Sequence, residues 1–163
     1  KGPFNFIEIR VVIHKLNYRY LDKLIRFIKT EFSGVDRVVF VFAEIEGQAI
    51  NNLKQIKLTY SLLRMHLSKL YVFLKEFKEV RFYHFPLCTL PSRFYPYVWR
   101  TLPAGEEFFL KSCSKCKVKE FCLGVHKNYL KYIGSNEFCP IKNNLDIIKG
   151  ASWHQPIKEV HDF

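Results

Sequence analysis

Arg37-Val-Val-Phe-Val-Phe-Ala43 is a nearly unbroken run of β-branched and aromatic side chains. A run of this kind is expected as a strand buried on both faces, as in a parallel sheet. Glu44, Glu46 and Gly47 follow just past what would be its carboxyl end. Upstream, Ile7, Ile9, Val11 and Ile13 alternate with Glu8, Arg10, Val12 and His14, the period-2 pattern of a strand with one apolar face. Between the two runs, Leu21, Leu24, Ile25, Ile28 and Phe32 recur at helical spacing, with Asn17 placed to cap the segment and Gly34 to stop it. Downstream, a polar connection through Asn51 and Asn52 leads to Leu63, Leu67, Leu70, Leu74 and Phe77, a second amphipathic helix. Val80 to Phe85 then forms a third short strand.

The order β-α-β-α-β, with right-handed crossovers, predicts three parallel strands covered by helices on one side. Such a sheet cannot close on itself. Its other face would carry Glu8, Arg10 and His14, so the pattern predicts half of a larger α/β architecture or a partner over that face. From Cys88 the character changes. Pro86, Pro91, Pro96 and Pro103 interrupt regular structure, cysteines follow, and only Gly124 to Ile133 is expected as a short helix. No internal repeat or low-complexity tract is present.

With 48% apolar residues in 163, the chain can fill a core and is not a disordered tail. It opens on Lys1, which suggests a longer gene product or processing. No apolar run approaches the roughly 18 residues of a membrane span, and no charged-then-apolar leader is visible; a soluble, cytoplasmic protein is expected. The formal charge of +11 suits RNA, DNA, an acidic peptide or an anionic cofactor and selects none of them, because the basic residues are spread from Arg10 to Lys158 without a dense block.

The five cysteines are an odd set in a Lys/Glu-rich chain, a pattern that favours metal over disulfides. Cys113-x2-Cys116 directs two thiolates into one site from a tight turn, and Cys122 adds a third. A fourth ligand must come from elsewhere: Cys88, at the end of a predicted strand, is the best placed, and Cys139 is the spare. Four thiolates suit tetrahedral zinc or a 4Fe–4S cube. Structural zinc more often pairs two Cys-x2-Cys knuckles, and one is present here; the uneven 2-then-5 spacing fits a cube better. Lys111, Lys115, Lys117 and Lys119 would offset thiolate charge, or form a solvated face.

His84-Phe-Pro-Leu-Cys88-Thr-Leu-Pro91, followed by Cys113-Ser-Lys-Cys116-x5-Cys122-Leu-Gly124 and Tyr129, resembles the auxiliary-cluster (twitch or SPASM) extension of radical S-adenosylmethionine (SAM) enzymes. Ile7-Glu-Ile-Arg10-Val-Val-Ile-His14-x2-Asn17, with the strand ending Glu44-Ile-Glu46-Gly47-Gln-Ala49, is similar to the fifth and sixth strands of the radical SAM barrel, closest to peptide maturases of the His-Xaa-Ser type. Together these stretches cover about residues 6–134. The resemblance implies a partial parallel βα barrel over residues 1–87, of about three strands and two helices. A small irregular cluster region over 88–139 and a tail over 140–163 would follow. It further implies an auxiliary 4Fe–4S cluster on Cys88, Cys113, Cys116 and Cys122, positioning a substrate, expected to be a peptide, for radical modification.

The catalytic Cys-x3-Cys-x2-Cys loop of that family does not occur in this sequence, nor do its glycine-rich and ribose-binding strand motifs. SAM chemistry would therefore need an N-terminal radical SAM half, from the same gene or a partner chain. Arg10 and His14 would lie on the barrel's inner face, where Arg10 could pair with the SAM carboxylate; the alternative is an ordinary ion pair with Glu8. The rival reading of the whole chain is a non-catalytic basic zinc or Fe–S thiolate module for RNA.

Glu44 and Glu46 are placed where α/β folds build sites, or are exposed loop acids. Tyr83 and His84 approach the cluster or belong to the core. Phe94, Tyr95, Tyr97 and Trp99, interleaved with Arg93 and Arg100, are expected to pack over the cluster region rather than to stack bases. No role follows from the sequence for His126, His154 or His161.

Overall fold

The computed structural model describes residues 6–102 and 105–143; Pro103, His154, His161 and the tail from residue 144 lie outside the described residues. Alternating apolar residues put Glu8–Ile13 in strand β1, and helix α1 (Leu21–Glu31) follows after a 3-10 turn. Strand β2 is Arg37–Phe42. Two short helices, α2 (Gln48–Asn51) and α3 (Leu53–Ile56), form the polar connection through Asn51 and Asn52, and helix α4 (Tyr60–Leu74) precedes strand β3 (Glu79–Tyr83). The sheet is four-stranded, parallel and open, in the order β1-β2-β3-β4. Its last member, β4 (Val98–Trp99), was not foreseen, because two residues carry no periodicity.

One face of the sheet is dry. Val11, Ile13, Val38, Phe40, Phe42, Val80 and Phe82 form one buried cluster with Leu21, Ile25 and Ile28 of α1 and Leu63, Leu67, Leu70 and Leu74 of α4. Phe40 and Phe82 lie in register and stack at 5.1 Å between centroids. Helix α4 starts where the Thr59 side chain accepts the Leu62 N–H. Asn17 does not cap α1 as expected. Its Oδ1 accepts the His14 N–H at 2.9 Å and its Nδ2 donates to Val12 O at 2.7 Å, so it ties the end of β1 instead.

The opposite face is charged, with three arginines alternating with two glutamates. The register sets Glu8 beside Arg37 and Arg37 beside Glu79. The ion ladder Arg10–Glu8–Arg37–Glu79–Arg81 follows, with N–O distances of 2.5, 2.8, 2.8 and 2.6 Å. Val39, in register between Arg10 and Arg81, is fully buried beneath it. Arg81 also lies 3.7 Å over the Trp99 ring. Among the described residues, each ion of this face has a partner on the same or the next strand.

The Cys-rich segment is built on the antiparallel pair β5 (Glu107–Phe108) and β6 (Val125–His126), with helix α5 at Lys127–Tyr132. It shares the core of the sheet through Val118, Leu123, Val125, Tyr129 and Phe138. Phe94 and Tyr95 of the aromatic run are buried, but Phe94 packs on Tyr71 and Phe82 of the helix and sheet, and Arg93 lies over Tyr71; none of the run lines the cysteine cavity.

Burial works to raise the pKa of Glu8, but hydrogen bonds from Arg10 and Arg37 outweigh it and hold the carboxyl below its ordinary value of 4.5. A depressed carboxylate pKa contributes stability that is present above the unfolded-state value and lost as pH falls through the lower folded value. Arg37→Met should therefore flatten the loss of stability of the native protein below about pH 4.5, measured as urea midpoints between pH 3 and 6; parallel wild-type and variant profiles would remove the ladder from this role.

Candidate metal centre

All five cysteines line one cavity at the carboxyl end of β3. Cys88 enters on the 3-10 turn Leu87–Thr89, which follows β3. Cys113 and Cys116 come from the turn at Lys111–Lys115, where the Cys116 N–H donates to Cys113 O at 3.1 Å. Cys122 leaves the turn Lys119–Phe121, and Cys139 follows buried Phe138. The rest of the wall includes Pro86, Phe109, Val118 and Val125, and the space, its mouth included, is about 410 Å³.

Gly124 closes the wall. Its φ of +80° is left-handed, and an added Cβ would meet Phe108 O at 3.0 Å, so β5 can approach only a glycine here. Backbone groups also face the sulfurs: Leu87 and Gly124 at Cys122, and Cys139 at Cys88. Backbone donors of this kind stabilise thiolates in Fe–S proteins.

Without metal, burial pushes the Cys88 thiol up to about 12, helped by Cys122, Cys113 and Cys116 and opposed by the Cys139 backbone. Burial raises Cys122 as well. Both are therefore neutral thiols in the metal-free chain, and a metal must displace their protons on binding. Lys119 lines the cavity. With Arg100 and Lys117 it also borders a larger solvent-open recess beside Cys116 and Cys122, whereas Lys111 and Lys115 border neither.

Arg10 and His14 lie away from this cavity. Arg10 pairs with Glu8 at 2.5 Å and stands 6.0 Å from the Tyr83 ring centre. His14, past the end of β1, accepts the Leu16 N–H on Nδ1 at 3.3 Å.

Glu44, Glu46, His84 and His126 meet beyond the carboxyl ends of β2 and β3. His84, at a left-handed φ of 66°, places Nδ1 3.2 Å from Glu44 and 3.4 Å from Phe42 O. His126 and Glu106, neither of which has a role readable from sequence, complete this second group. No local spacing links residues 44, 106 and 126, so only the fold brings them together.

No family model matches this chain, and no curated protein or solved structure matches it. The site is therefore read from its own chemistry.

The cavity is held in place by a polar clamp on α4. Glu137 accepts the Ser61 N–H at 2.7 Å and the Tyr129 hydroxyl, while the Tyr60 hydroxyl donates to His84 O at 2.7 Å. Glu137→Ala should cost about 1–3 kcal/mol and speed the labelling of Cys88 by a thiol reagent, while Glu31→Ala on the exposed side of α1 changes neither. Unchanged labelling in the Glu137 variant would show that the clamp does not position the cysteines.

Proposed function

We propose that the cysteine cavity binds a 4Fe–4S cluster through Cys88, Cys113, Cys116 and Cys122, as the auxiliary-cluster part of a radical SAM enzyme acting on a peptide. The observation that carries this reading is the convergence of all five cysteines, spread along the chain from Cys88 to Cys139, on one cavity past the end of a parallel strand. Cys88, in the 3-10 turn, is backed by the chain itself, and Cys139 stands at the exposed rim, which suits it as the spare.

The spacing of the cysteines favours a cluster over zinc: one Cys-x2-Cys knuckle is present, followed by the uneven x5 step to Cys122, whereas structural zinc more often pairs two such knuckles. A cube takes each thiolate on a different corner iron and holds them further apart than one ion does. When bound, the cluster would supply one-electron chemistry or a binding iron. The chain's own residues hold the thiolates, aim backbone donors at them and exclude water with Phe109, Val118 and Val125.

A partial barrel is supported by the strand order, which advances β1-β2-β3-β4 without reversal, as it does around a βα barrel. At the β1 edge Phe6, Ile7, Val12 and Leu16 are exposed, which is where a preceding βα unit would add. That unit, on the same gene product or a partner, would bring the Cys-x3-Cys-x2-Cys loop and SAM, with Arg10 and His14 on the SAM side. The second reading is a zinc-thiolate module for RNA, which the formal charge of +11 and the Arg100, Lys117 and Lys119 side of the recess favour, although Glu107 and Glu120 line it too.

Anaerobically purified protein should be brown and hold about four irons per chain. Cys88→Ala, Cys113→Ala, Cys116→Ala and Cys122→Ala should each lose most of the iron, and Cys139→Ala should keep it. One zinc in a colourless protein would overturn the cluster and support the RNA module. Cleavage of SAM only after addition of the loop-bearing half tests the enzymatic part separately.

A further inference from the structure

Three carboxylates converge around one imidazole beyond the ends of β2 and β3. Glu44 and Glu46 follow β2, and Glu106 precedes β5. Ligand atoms of Glu44, Glu106 and His126 lie within 4.8 Å of one another, and Glu46 Oε1 is 3.2 Å from His126 Nε2. Their ion-pair partners are imidazoles. His84 Nδ1 lies 3.2 Å from Glu44 Oε1, and Asn128 Nδ2 donates to Glu46 Oε1 at 3.2 Å. His126 Nδ1 accepts the Asn128 N–H at 3.3 Å, which places the ring N–H on Nε2.

A cluster of acids alone is common on protein surfaces. Here a second feature points to a ligand: His126 is 6% exposed, its Nε2 aims into the group, and that atom has no hydrogen-bond partner. Glu46 Oε1 is near enough but misaligned, and Glu106 Oε2 is 3.8 Å away. A buried N–H without a partner costs roughly 1–3 kcal/mol. A cation drawing the three carboxylates inward would turn their second oxygens toward Nε2–H, satisfying the donor and the charge together.

We propose that Glu44, Glu46 and Glu106 form a binding site for a hard divalent cation of the magnesium or manganese type, with His126 Nε2–H as an outer donor that fixes the carboxylates. Oxygen ligands select such ions over zinc or copper, and the tautomer set by Asn128 keeps the imidazole out of direct ligation. Glu46 and Glu106 are about half exposed, so water or an anionic substrate group can complete the coordination. The site is separate from the cysteine cavity, and its thiol-poor donor set makes it independent of what that cavity binds.

Mn²⁺ titration of the purified chain, followed by the loss of the free-ion EPR signal, should show one site half-saturated below roughly 1 mM, with a rise in melting temperature on binding. Glu44→Gln and Glu106→Gln should each weaken binding at least about tenfold, an expected loss of roughly 1.4 kcal/mol or more. Glu107→Gln should leave it unchanged, and His126→Gln, which keeps an N–H donor, should stay within a few-fold. Melting curves without manganese show whether each variant folds. Absence of saturable binding below ~1 mM, binding that survives both glutamate changes in folded variants, or complete loss in His126→Gln would overturn the proposal.

Discussion

The carboxylate of Glu137 at the amino end of α4 is the contact on which the rest of the Cys-rich segment depends. It accepts the Ser61 N–H, where the helix dipole favours an anion, and the Tyr129 hydroxyl. Phe138, the next residue, enters the aromatic group of Tyr60, Phe42, Phe85 and Tyr129. One charged group thus fixes α5 and the segment that carries Cys139 against the same helix that covers the sheet. The cysteines that follow and precede it gain a common wall only because that docking is specific.

The sheet contributes differently on its two faces. Its helix-covered face is apolar and stabilises by area, whereas its other face is an ion ladder in which each charge has a partner on the same or the next strand. Partly buried ion pairs add little net stability because desolvation opposes attraction, but removing one member leaves a charge uncompensated. The ladder therefore specifies register: a one-residue slip of β2 would set Arg37 away from both Glu8 and Glu79. Register in turn sets where β2 and β3 end, and so where Glu44, His84 and Cys88 emerge.

The periodic elements were legible in the sequence because their signal is local. The alternation in β1, the buried run in β2 and the leucine spacing in α4 each fall within one segment. The third strand ends at Tyr83 rather than Phe85, since the left-handed turn at His84 redirects the chain. Helices α2 and α3 have no buried residues, so they left no apolar period to detect. The Cys113, Cys116 and Cys122 spacing pointed to one site, and the cavity gathers those side chains with Cys88 and Cys139. Asn17 was misplaced because its side chain had two backbone targets and took the strand rather than the helix. His126 and Glu106 carried no signal at all, as their meeting with Glu44 depends on β6 pairing with β5 and docking on the sheet.

The claim that the cysteine cavity binds a cluster is tested most directly by X-ray absorption on the anaerobically purified chain. The account predicts an iron edge with sulfur neighbours and a short iron–iron distance, as only a multi-iron cluster gives. A zinc edge with four sulfurs at ~2.3 Å, and no iron–iron scattering, would contradict it.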